Sequence, residues 1–280
     1  MFKKILFFII FCCITLSVFS SEWIELSSEH FIIYYKENEN FAKEVSYKAE
    51  KYYNSIASDI GYSRYSNFWT WDKRVKIYIY PTKKDYLKET NQPDWSEGMA
   101  DYKNKQILSY ALSEGFLDSI LPHEMAHLIF RDFVGFKSEI PLWLDEGVAQ
   151  WAENLKRANI KKLAKELYQK EFLLSLKDIM TLDIRSLKDK NKVFIRPTKT
   201  KSGEDGVLFI GAEQLITNYY IQSASIVGFL IEKYGSYSFS NFCRELRDGK
   251  SVEEAIRIAY PHIVNLEELE TLWRRYLERE

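Results

Sequence analysis

The segment Leu121-Pro122-His123-Glu124-Met125-Ala126-His127-Leu128-Ile129 constrains this chain more than any other. Its apolar residues Leu121, Met125, Leu128 and Ile129, continued by Phe133, recur at helical spacing and predict a helix with that stripe against a core. Asp118 or Ser119 is placed to cap its start, Pro122 is tolerated in a first turn, and Gly135 suits its end. Positions four apart stack on one face of a helix, so His123 and His127 point the same way. Two imidazoles so placed can share one metal ion, and Glu124 between them can take a proton from a water held there.

The pattern H-E-x-x-H alone is weak, because ordinary residue usage produces it by accident in about one chain of this length in a hundred. A catalytic zinc site needs three protein ligands and an open fourth position. A third ligand must therefore stand where a second helix can deliver it. Pro141-Leu142-Trp143-Leu144-Asp145-Glu146-Gly147-Val148-Ala149 meets that need. Pro141 can open a helix, and the eighteen residues between His127 and Glu146 allow a helix end, a turn and a return. The combined H-E-x-x-H-x18-E, with its last Glu inside W-L-D-E-G-x-A, closely resembles the gluzincin zinc peptidases. W-L-x-E-G-x-A is most similar to the corresponding piece of the aminopeptidase-N-like branch and of peptidase-MA-like domains.

The resemblance implies an α+β fold: a small mixed sheet carrying the first zinc helix, about residues 21–135, then a mostly helical lobe, about 136–280. It implies Zn2+ held by His123, His127 and Glu146, with Glu124 as the general base and a peptide or protein as substrate. Asp145 either orients a zinc-bound His or faces solvent. Asn218 to Leu230 resembles the Y-x-Q-S-A-S-x-V-x-x-L segment of peptidase-MA-like proteins. In related gluzincins a downstream Tyr stabilises the oxyanion. Tyr220 is the candidate here and Tyr219 the reserve, with simple packing at a helix start as the structural alternative.

Trp95 to Tyr102 and Gln106 to Tyr110 predict two strands around a tight turn. By resemblance, one of them is the edge that pairs with extended substrate. Aminopeptidases of the related branch carry G-x-M-E-N there, whose Glu holds the free amine. This chain has Gly98-Met99-Ala100-Asp101, and Glu97 and Asp101 are the acids in that neighbourhood. The departure favours an endopeptidase. The alternatives are a zinc aminopeptidase and a non-catalytic envelope binding or assembly module on the same scaffold.

Residues 1–20 read as a signal peptide: Lys3 and Lys4, an uncharged run from Ile5 to Phe19, and a cleavage site at Val18-Phe19-Ser20. The protein is then exported to a periplasm, cell envelope or medium, and it meets a membrane through this segment only if the segment stays uncleaved. Cys12 and Cys13 leave with it. Cys243 alone remains, so no intramolecular disulfide forms and stability rests on the core. Lys and Arg number 39 against 40 Asp and Glu, and removing Lys3 and Lys4 leaves 37 against 40, a net charge of −3. That balance is no footprint for nucleic acid or an anionic membrane.

Elsewhere, strands are expected at 23–26, 30–35 and 74–80. Helices are expected at 41–60, 82–90, 152–174, 239–247, 251–260 and 266–277. Lys156, Arg157, Lys161, Lys162 and Lys165 read as a solvated face. Arg196 to Gly206 reads as a loop and a possible flap over the cleft. His30 and His262 read as structural or solvated.

Overall fold

Alternation builds the first lobe. Phe31, Ile33 and Tyr35 are buried from one strand and Val75, Ile77 and Ile79 from another, while the residues between them are half-buried. A sheet with helices against it needs that pattern. The protein is described here by a computed structural model covering residues 22–61, 69–94, 96–135, 140–187 and 191–279. The signal-peptide segment and Trp95 lie outside the described residues.

The sheet contains β1 (Ile24–Ser27), β2 (Phe31–Tyr35), β3 (Val75–Tyr80), β4 (Gly98–Asp101) and β5 (Gln106–Tyr110), in the order β1-β2-β3-β5-β4. β2, β3 and β5 are parallel, and β1 and β4 run antiparallel at the two edges. β4 pairs with β5 from Gly98 opposite Ser109 to Asp101 opposite Gln106. Its other edge pairs with no strand among the described residues. Helix α1 (Glu39–Asp59) lays Phe41, Val45, Ala49, Tyr52 and Ile56 on the sheet, and Asn38 caps it by accepting the Phe41 N–H. Thr82 caps α2 (Lys83–Thr90) by accepting the Asp85 N–H.

The chain then enters α3 (Leu121–Val134), which buries Leu121, Met125, Leu128 and Ile129 as its spacing predicts. Gly135 closes α3 at φ 68°, a left-handed conformation that costs glycine least. The expected cap is absent. One turn of π-helix, Phe116–Ile120, feeds straight into α3, and neither Asp118 nor Ser119 caps it. Asp118 instead binds Lys48 and Tyr52 of α1, and Ser119 is turned towards Glu153.

The second lobe contains α4 (Leu142–Ala152), α5 (Asn154–Gln169), α6 (Leu176–Thr181), β6 (Val193–Lys199), β7 (Asp205–Gly211), α7 (Ala212–Arg247), α8 (Val252–Ala259) and α9 (Leu266–Arg279). The fold is therefore α+β with a small sheet, as expected. Two expectations are corrected. Arg196 to Gly206 is not a loop but most of an antiparallel hairpin, β6 with β7, turning at 200–204. The expected 152–174 helix is shorter, ending at Gln169. α4 packs against α7 unusually closely. A Cβ on Gly147 would lie 2.7 Å from the Ser223 carbonyl oxygen, so only glycine fits that crossing. Among the described residues no helix is long and apolar enough to cross a membrane.

Candidate metal centre

One helical turn separates His123 from His127 on α3, and α4 crosses to bring Glu146 against them. The two Nε2 atoms are 3.2 Å apart. Glu146 Oε2 lies 3.8 Å from Nε2 of His123 and 3.9 Å from Nε2 of His127. Among the described residues this is the one group of three His, Cys, Asp or Glu side chains whose donor atoms converge, all within 4.8 Å. A tetrahedral ion with bonds of about 2.1 Å sets its ligands about 3.4 Å apart. Two imidazole nitrogens and a carboxylate oxygen at these separations fit zinc in both distance and donor chemistry.

Each histidine is aimed by a buried carboxylate. His127 Nδ1 lies 2.9 Å from Asp145 Oδ1, and His123 Nδ1 lies 3.1 Å from Glu153 Oε1. A carboxylate can only accept, so both Nδ1 atoms carry the proton and both Nε2 lone pairs face the centre. The carboxylates are themselves fixed. Arg131 donates to Asp145 Oδ2 at 2.5 Å, and Glu153 takes the Ser119 hydroxyl and the Lys156 ammonium, the latter at 2.7 Å. Burial pushes the Asp145 carboxyl up, but His127 and Arg131 outweigh it and hold it below the usual range. Glu153 is likewise held down against its burial by His123, Lys156 and Ser119. Glu146 goes the other way. Burial raises it, the two histidines oppose that, and the Asp145 and Glu124 carboxylates add to the rise. A buried ligand crowded by two other acids is stabilised as an anion by a bound cation.

Glu124 is half-buried and takes no hydrogen bond or ion pair among the described residues. Burial, then the Glu124 carboxylate, raises the phenol of Tyr102, which follows β4. Tyr219 and Tyr220 come from α7. Burial, then the Glu146 carboxylate, push Tyr220 up to about 12 and raise Tyr219 as well. Both therefore lie within electrostatic reach of Glu146. Tyr220 is half-buried, whereas Tyr219 is fully buried with a hydroxyl that has no hydrogen-bond partner among the described residues.

The two acids near the sheet edge are both occupied. Glu97 accepts from Lys83 at 2.5 Å, from Ser113 at 3.0 Å and from Tyr110. Asp101 holds the β4–β5 turn through the Asn104 N–H at 3.1 Å and Nδ2 at 2.8 Å. Their hydrogen bonds hold both below the usual carboxylate range despite some desolvation. His30 is structural: it is buried, stacked on Tyr53 and bound to Glu50 at 2.6 Å. His262 is an exposed turn residue before α9.

Sequence reasoning misses four contributors. In the sequence Glu153 is only one residue of an expected helix, and Lys156 falls on its solvated face. Arg157 and Lys161 of that face are also paired, with Asp59 and Glu232. Arg131, four residues after His127, could have been found from helical spacing. Tyr102, just past β4, sets its ring edge-on to His127 at 6.1 Å between centroids, with the Arg131 guanidinium 4.4 Å from its centre. No protein-family model matches the chain, and no curated protein matches it.

Proposed function

We propose that the chain is a zinc-dependent peptidase of the gluzincin type that cleaves within peptide chains. The observation that carries this reading is the convergence of three donors, each histidine aimed by its own buried carboxylate, beside a Glu124 carboxylate that nothing else occupies. Zinc in that position supplies Lewis acidity, polarising the scissile carbonyl and easing deprotonation of water near neutral pH. His123, His127 and Glu146 hold it. Glu124 takes the proton of the attacking water and later delivers it to the leaving amine. Tyr220, protonated throughout the neutral range, donates its hydroxyl to the developing oxyanion. The unpaired edge of β4 holds extended substrate by main-chain hydrogen bonds.

The alternatives fare worse. An aminopeptidase needs a carboxylate free to neutralise the substrate amine, and Glu97 and Asp101 are both engaged. A pure binding module on this scaffold has no use for an unpaired Glu124. With residues 1–20 read as a signal peptide, the enzyme works outside the cytoplasm, and the N-terminal residue of the exported protein tests that. The decisive experiment compares wild type with Glu124→Gln on peptides with free and acetylated N-termini. The variant should bind zinc near one to one and lose hydrolysis, and wild type should cleave both peptides internally. Full activity in Glu124→Gln sinks the mechanism. Cleavage abolished by acetylation sinks the endopeptidase assignment alone.

A further inference from the structure

The outer face of the β6–β7 hairpin inverts the rule for a sheet facing water. Outward positions of a surface sheet are expected to be polar. Here three successive cross-strand pairs on the exposed face are apolar: Val193 with Gly211, Ile195 with Phe209, and Pro197 with Val207. Val193, Ile195, Val207 and Phe209 are 61–65% exposed. The hairpin is firmly seated by its other face. Leu208 and Ile210 are buried there, Thr198 donates to the Leu173 carbonyl, and Arg274 donates to that of Lys199. The patch is therefore a fixed feature, roughly 400 Å² in extent, a size that in monomers is often functional.

Its charge sets it apart from the rest of the chain. The described segment 191–211 contains four Lys or Arg against two Asp or Glu, a local net charge of +2 in a chain of net −1. Lys199 is paired with Asp205 at 2.8 Å and Arg196 with Asp178 at 3.6 Å, which leaves Lys192 and Lys201 against the exposed Glu204. Lys192 at the hairpin's base and Lys201 at its tip are both exposed. Apolar side chains in the middle with lysines at both ends suit a bilayer interface bearing anionic headgroups. A second copy fits less well. Patch against patch would bury roughly 800 Å² in all, short of the ~1,200 Å² at which stable dimers begin. Extended polypeptide fits the β6 edge less well, because Ser175 already donates to the Pro197 carbonyl there.

We propose that this face is a membrane-docking surface that rests Ile195 and Phe209 in the interface of an anionic bilayer. It is independent of the zinc site and of residues 1–20. The test is co-sedimentation of the full chain with vesicles of phosphatidylglycerol and phosphatidylcholine, wild type against an Ile195→Ser/Phe209→Ser double variant. Residues 1–20 are common to both, so the difference reads the hairpin. The double variant should partition at least about tenfold more weakly, and the difference should shrink on pure phosphatidylcholine and at high salt. As a second readout, Phe209→Cys in a Cys12→Ser/Cys13→Ser chain is labelled with a polarity-sensitive dye, whose emission should shift to the blue on anionic vesicles. Equal partition of wild type and double variant overturns the proposal, as does an unmoved dye. A dimer in sedimentation velocity that the double variant dissolves overturns it in favour of a second copy. Loss of soluble-peptide cleavage with unchanged vesicle binding overturns it in favour of a cleft wall.

Discussion

Glu153→Ala removes the group that aims His123 while leaving every ligand in place. The side chain is 1% exposed and bonds His123 Nδ1, Ser119 and Lys156. Without it the His123 Nδ1 proton has no protein acceptor among the described residues. The ring is then free to turn or to exchange tautomers, both of which spoil Nε2 as a donor. His127 keeps Asp145 and is unaffected. Losing one such partner of a metal ligand costs about 10–100-fold in affinity, about 1.4–2.7 kcal/mol. Lys156 loses an ion pair, but its side chain is 49% exposed and rehydrates, so the cost to the metal-free fold is small by comparison. Glu153→Gln keeps an oxygen that accepts from Nδ1–H and loses only the charge, so its loss should be smaller. Zinc affinity is measured by competition with a chromophoric chelator, and thermal unfolding of the metal-free proteins serves as control. Affinity of Glu153→Ala within twofold of wild type, or equal losses for Ala and Gln, would refute the reasoning.

Three further outcomes follow from the same geometry. Gly147→Ala should destabilise by about 1–3 kcal/mol in urea unfolding, because its Cβ would sit 2.7 Å from a backbone oxygen of α7 and 2.8 Å from Val227 Cγ2. An unchanged midpoint would mean that the two helices part at no cost. Tyr220→Phe should lower kcat by about 100-fold or more with KM within a few-fold, since it removes a donor used only in the transition state; an unchanged kcat moves that role elsewhere. Glu50 is held below its ordinary value of 4.5, its burial outweighed by hydrogen bonds from His30 and Ser28. A depressed carboxyl stabilises the fold above its unfolded pKa and loses that contribution as pH falls through the folded one. Glu50→Gln should therefore cost about 1–2 kcal/mol at pH 7 and converge with wild type well below pH 4.5; a gap independent of pH would count against the pairing.

The convergence of His123, His127 and Glu146 was legible because the histidine spacing is a property of a regular helix. His123 and His127 need nothing but the 3.6-residue turn to converge, and a connection of eighteen residues was enough to return Glu146 to them. The parallel strands were legible from the alternation in β2 and β3. The hairpin was not, because its tip is Lys-Ser-Gly-Glu and its outward residues are apolar. A reading that seeks one apolar face finds apolar residues on both and sees no strand. The same inversion that hid the hairpin now marks its outer face as the part of the surface in need of a partner.

The orienting acids divide along the same line. Asp145 is adjacent to a ligand, and one residue along a helix is a rotation of about 100°. That rotation takes Asp145 away from the metal and round to the back of His127. Glu153 follows Glu146 by seven residues, two helical turns, and so starts on the same side of α4. Its backbone then leaves helical geometry at φ −75°, ψ 87°, and Glu153 both ends α4 and begins α5. Periodicity ceases to predict direction where the helix breaks. The π-turn before α3 carries Ser119, whose hydroxyl donates to the same carboxylate that holds His123. Two irregular backbones meeting at one buried carboxylate thus fix the first histidine of a motif that is itself regular. Shortening the π-turn by deleting one residue between Gly115 and Ile120 should therefore weaken zinc binding without touching any ligand.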